Sequence, residues 1–170
     1  MDETTRETLW HQFGAAVDML ENAMLECSEA VWSNGSGAHD FWYLAYHTLF
    51  FLDYDLSDTP LETDFQPPEP FTKSEFDPEG VLPERIYSKP ELLEYLQFAR
   101  EKCRTLIRDL TSEKAQARFI SEYRNFSRLE LLLYSMRHVQ HHAAQLNLLL
   151  RQGQDSAPRW VGQTKHKLYH

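Results

Sequence analysis

The sequence predicts an all-α fold, a four-helix bundle with long connections. Two observations carry this. Apolar residues recur at threes and fours in four segments and nowhere sustain a period of two, and two of those segments open with a Ser-x-x-Glu helix start. A third shapes the connections: six of the eight prolines fall between Pro60 and Pro83, where the helical pattern breaks. At 170 residues, 42% hydrophobic and 25% charged, the chain suits one domain with a real core. Disordered, collagen-like and disulfide-scaffold classes are excluded by the same composition.

The first helix spans roughly residues 5 to 31, with Leu9, Phe13, Ala16, Val17, Leu20, Met24, Cys27 and Val31 on one stripe behind a Thr4/Glu7 capping box. Residues 33 to 37 (SNGSG) form a turn by composition, and Asp40 is placed to cap the second helix. That helix, about Phe41 to Leu56, is apolar nearly all round, which predicts burial against several neighbours. The short link suits antiparallel neighbours for helices one and two. Residues 57 to 88 form an acidic, proline-rich crossover with eight acidic residues against Lys73 and Arg85, long enough to run the length of the bundle. Its Phe65, Phe71 and Phe76 are too costly to leave in water, so it should drape over the helices near the mouth of any site.

Ser88 and Glu91 form a capping box for the third helix, with Tyr87 and Leu92 at staple spacing, and the helix runs to about Leu110. Ser127 and Glu130 repeat the device before the fourth helix, which ends at Gln152 with Gly153 as its C′ residue. The bundle thus occupies residues 1–153, followed by a polar tail, 154–170. Cys27 and Cys103 lie on apolar stripes outside any CxxC pair and read as buried reduced thiols.

A net charge of −9 repels phosphate backbones, so nucleic acid is not an expected partner. No run of about 18 uncharged apolar residues and no signal-peptide pattern is present, so no membrane association is expected and the cytoplasm is the expected location.

The histidines carry the functional signal. On the fourth helix Leu129, Leu132, Met136, Val139, Ala143, Leu146 and Leu150 fix the buried seam. A second stripe, Leu131, Ser135, His138, His142 and Gln145, lies about 100° round. His138 and His142 are one turn apart on it, spaced to converge on one ion. His47, in the middle of the apolar second helix, needs a polar partner or a cation, so the three histidines together predict one divalent metal site. His141 turns away from this face. His11, His39, His166 and His170 read as surface residues. Ser135, Tyr134, Gln145, Tyr43 and Tyr54 are the candidates to orient a ligand imidazole. The pattern lacks the HExxH of a zincin and the ExxH motifs of a carboxylate-bridged di-metal bundle. Three imidazoles suit several metals, and a buried, metal-free histidine cluster in a structural or interaction protein is the competing reading.

A histidine in mid-helix two and HxxxHxxQ on the last helix, here His47 and His138-Val139-Gln140-His141-His142-Ala143-Ala144-Gln145, resemble the DinB/YfiT-like metalloenzyme family over roughly Leu9 to Gln152. Ala144 replaces the glycine of the frequent HxxxHxGQ motif. The resemblance implies a mononuclear divalent metal, zinc or nickel before iron, held by His47, His138 and His142, often in a homodimer with a small-molecule substrate. It also implies thiol-dependent transferase chemistry with a low-molecular-weight thiol such as mycothiol or bacillithiol, with a metal-dependent hydrolase as the alternative. Related iron-dependent sulfoxide synthases carry HxxxHxE, and Ala144 stands where that glutamate would be, which disfavours their activity here.

Overall fold

The computed structural model describes residues 1–35 and 37–169; Ser36 of the expected turn and His170 of the tail lie outside them. The chain is mostly helical: α1 (Glu3–Glu26), α2 (Glu29–Trp32), α3 (Phe41–Asp55), α4 (Lys89–Arg108), α5 (Ser112–Gln116) and α6 (Arg128–Gln154). Two antiparallel strands, β1 (Arg118–Ile120) and β2 (Asn125–Ser127), precede α6. The four long helices close a ring in which α1 and α3 each pack on both α4 and α6. Helices α1 and α3 are therefore diagonal, not the antiparallel neighbours expected, because α2 and a 3-10 turn at Gly37–His39 carry the chain across. Trp10, Phe13, Tyr46, Phe50, Leu96 and Leu146 are buried in the common core. Among the described residues no helix is long and apolar enough to cross a membrane.

Helix starts behave as local chemistry dictates. Ser88 and Glu91 make both bonds of the capping box, and Ser127 accepts from the Glu130 amide. At the first helix the cap is Asp2, not Thr4: its carboxylate accepts from both the amide and the hydroxyl of Thr5 at 2.8 Å. Asp40 holds the N-cap position of α3, but its carboxylate accepts from the Asn34 amide, Ser33 and the Trp42 indole and so ties the turn to the helix.

Helix ends are decided by distant side chains. The expected first helix breaks after Glu26 because Gln154 takes the Glu26 carbonyl at 3.0 Å and the Ser28 amide at 2.9 Å, while Lys89 takes the Cys27 carbonyl. Gly153 is inside α6, and Asp155 adopts the left-handed conformation at its end. The glycine answers a packing need: a Cβ there would lie 2.7 Å from Val31 Cγ2.

The connection 57–88 runs back along α3. Near its start the Ser57 carbonyl accepts from Arg128, and near its end Tyr87 packs edge-on to Trp42. Phe65 is buried, Phe71 stacks on Tyr95 at 4.4 Å, and Phe76 packs against Phe50 at 4.8 Å. The tail after α6 lies along α1. There Thr164 donates to Asp18 at 2.6 Å and sits where a Gly14 Cβ would meet it at 2.5 Å, and the Trp10 indole donates to the His166 carbonyl. Cys27 and Cys103 are unbridged and buried; burial pushes the Cys27 thiol up to about 12 and that of Cys103 up as well.

Candidate metal centre

Helix α3 is covered by α4, α6 and the connection, so its whole circumference can be apolar, and His47 is the imidazole it turns toward α6. Helix α6 buries Val139 and Ala143 and leaves His138 and His142 half-buried on the neighbouring stripe. The two faces bring the three rings together, with centroids 5.3 Å apart for His47 and His138, 4.9 Å for His47 and His142, and 4.4 Å for His138 and His142. One nitrogen from each lies within 4.8 Å of the others, a grouping that could hold a metal ion. His141 is exposed and outside it, as the helical period requires. His39 and His166 are exposed, while His11 is half-buried under the tail.

The outer nitrogens define the tautomers. His47 Nδ1 lies 2.6 Å from Glu75 Oε2, and His142 Nδ1 lies 2.6 Å from Gln145 Oε1. Both oxygens are acceptors, so both Nδ1 atoms carry the proton and both Nε2 atoms present a lone pair to the centre. His138 Nε2 stands 2.9 Å from His142 Nε2, and its Nδ1 is buried without a hydrogen-bond partner among the described residues. Burial is the main cause that holds His138 near 3 and His142 near 4, with the neighbouring imidazoles adding to it and Gln145 opposing it at His142. Both are thus neutral at ordinary pH, the form in which imidazole ligates. The donor set fits a divalent ion.

Of the candidates to orient an imidazole, Gln145 does so. Glu75 was missed. It comes from a 3-10 turn, Ser74–Phe76, in the connection, where no local signal separates it from Asp64, another acid that precedes a docked phenylalanine. Tyr43 lies against Glu75, and burial together with that carboxylate pushes its phenol up. Phe51 packs edge-on to His47 at 4.9 Å and reaches His138 at 5.9 Å.

A cavity of about 290 Å³ adjoins this wall, lined by Phe51, Glu62, Glu75, Asp77 and Arg124 among others. Arg124 is paired with Asp55, a buried carboxyl that burial pushes up to about 7 against the pull of the guanidinium. The charge left free in the lining is negative. A groove of about 550 Å³ opens on the other side of His138, between Tyr134, Arg137 and His141. Asp18, Glu21 and His166 also lie close enough to hold an ion, but the Arg100 guanidinium is already there, 3.1 Å from Asp18 and 2.8 Å from Glu21.

Comparison with curated proteins and with solved structures gives no match. The sequence model of the DinB superfamily matches residues 3–146, most of the 170-residue chain, and the chain belongs to that superfamily.

Proposed function

We propose that the protein is a four-helix bundle that binds one divalent metal ion, zinc or nickel, through His47, His138 and His142, and that the ion serves a small-molecule substrate. One observation carries the reading: three imidazole nitrogens converge within 4.8 Å while acceptors on the outer nitrogens of two of them turn lone pairs inward. When bound there, an ion supplies Lewis acidity and lowers the pKa of a water or thiol beside it. Glu75 and Gln145 would hold the Nδ1 protons of His47 and His142 and so turn Nε2 of each ring toward the ion, while burial keeps His142 in the neutral form that ligates. Phe51 and Phe76 keep solvent from the α3 side, and the 26% exposure of the His47 side chain leaves a way in. The negative lining formed by Glu62, Glu75 and Asp77 favours a neutral or cationic molecule over an anionic one.

Two chemistries suit such a site. Thiol transfer needs no protein base, because a thiolate beside the ion stays ionised at neutral pH. Hydrolysis would draw on a water made more acidic by the ion and likewise needs no carboxylate beside it. Cobalt-substituted protein, titrated with mycothiol, bacillithiol and glutathione, separates them. A sulfur-to-metal charge-transfer band with one thiol supports the transferase, and its absence with all three, together with turnover of an ester panel, supports the hydrolase. Protein that holds no ion when purified without a histidine tag contradicts both.

A further inference from the structure

Among the described residues, Glu75 is the one hydrogen-bond partner of the trio that no long helix supplies. Its side chain is 5% exposed, its Oε2 takes the His47 Nδ1 proton, the neutral Tyr43 phenol lies against the carboxylate, and its Oε1 is buried with no well-formed hydrogen bond among the described residues. A buried carboxylate is costly unless its charge is answered, and the His47 N–H and the neighbouring Tyr43 phenol bring no full countercharge of their own. Arg124, the guanidinium in the same cavity, is engaged with Asp55. The charge that would complete the balance is a cation on the far side of the His47 ring. The turn that carries Glu75 is held from the other direction: Phe76 packs on Phe50 and Tyr54, and the Tyr46 hydroxyl donates to the Thr72 carbonyl at 2.6 Å.

Building on the three-histidine reading, we infer that Glu75 is the positioning residue of the metal site and couples ion binding to the docking of the 57–88 connection. Glu75 fixes the proton on His47 Nδ1, which leaves the Nε2 lone pair for the ion, and it returns a negative charge through the ring. Because the two equilibria share this contact, whatever factor docking adds to ion affinity the ion adds to docking. Outer hydrogen-bond partners of metal-bound histidines typically account for about 10–100-fold in affinity.

The test uses cobalt(II) alone on tag-free full-length protein: wild type, Glu75→Gln and His142→Ala. Glu75→Gln keeps the shape and an acceptor oxygen but removes the charge, so its metal-free form should melt no lower than metal-free wild type. Affinity is read by chelator competition, the ligand field from the cobalt absorption bands, and docking from trypsin cleavage after Lys73, two residues from Glu75. Expected are cobalt affinity about 10–100-fold weaker in Glu75→Gln, shifted bands, and cleavage after Lys73 that cobalt slows in wild type and much less in the variant. Wild-type affinity and spectrum in Glu75→Gln, or cobalt without effect on wild-type cleavage, would overturn the coupling while the histidine site stands. If wild type binds no cobalt, or His142→Ala binds it equally, the three-histidine reading falls and this inference falls with it.

Discussion

The Nε2 atoms of His138 and His142, one turn apart on α6, stand 2.9 Å from each other, and the Nδ1 proton of His142 is taken by Gln145. A helix alone sets only the spacing; the buried stripe of α6 and the cover of α3 set the direction. Replacement of His47, His138 or His142 with alanine, one at a time, is expected to lower bound metal from one ion per chain to a small fraction of that. Elemental analysis of each variant checks it, and stoichiometric metal in all three contradicts the assignment.

His141→Ala should keep its metal. The ring sits 5.1 Å from His142 but on the exposed side of α6. Loss equal to that of His142→Ala would mean that the register of α6 around Gln140 differs in solution.

Metal-free protein should lose stability as pH falls. His138 and His142 are held near 3 and 4, below the ordinary 6.5. Between about 6.5 and 4 the unfolded chain therefore binds protons that the folded one refuses. The stabilisation is whole above about 6.5 and declines toward pH 3, and it is checked by urea unfolding at a series of pH values. In the His138→Ala/His142→Ala double variant the slope over this window should flatten.

Gly14→Ala should be destabilising although alanine favours helix by about 1 kcal/mol. The new Cβ would meet Thr164 Cγ2 at 2.5 Å and Cβ at 2.8 Å, and overpacking of this kind costs about 1–3 kcal/mol. The lower energy route is release of the tail, so trypsin cleavage after Lys165 should quicken with the fall in melting temperature.

What was legible in the sequence was local or periodic. The Ser88–Glu91 box needs four consecutive residues, and the inward pair His138 and His142 needs only the helical period. What was not legible depends on residues far along the chain. The break at Cys27 is made by Gln154 and Lys89, and the packing role of Gly153 by Val31. The strands β1 and β2 are three residues each, too short to register a period of two. Glu75 reaches His47 only because Phe76 docks beside it, and no spacing rule relates residue 75 to residue 47. The aromatic spacing of the connection pointed to docking but not to which acid would face the histidines.

The most direct test of the three-histidine site is X-ray diffraction from crystals of tag-free protein grown with nickel or zinc, with data collected above and below the metal absorption edge. The account predicts one anomalous peak per chain, about 2.0–2.1 Å from a nitrogen of each of His47, His138 and His142. A structure with no peak among these three rings, or with the ion on Asp18, Glu21 and His166 instead, would contradict it.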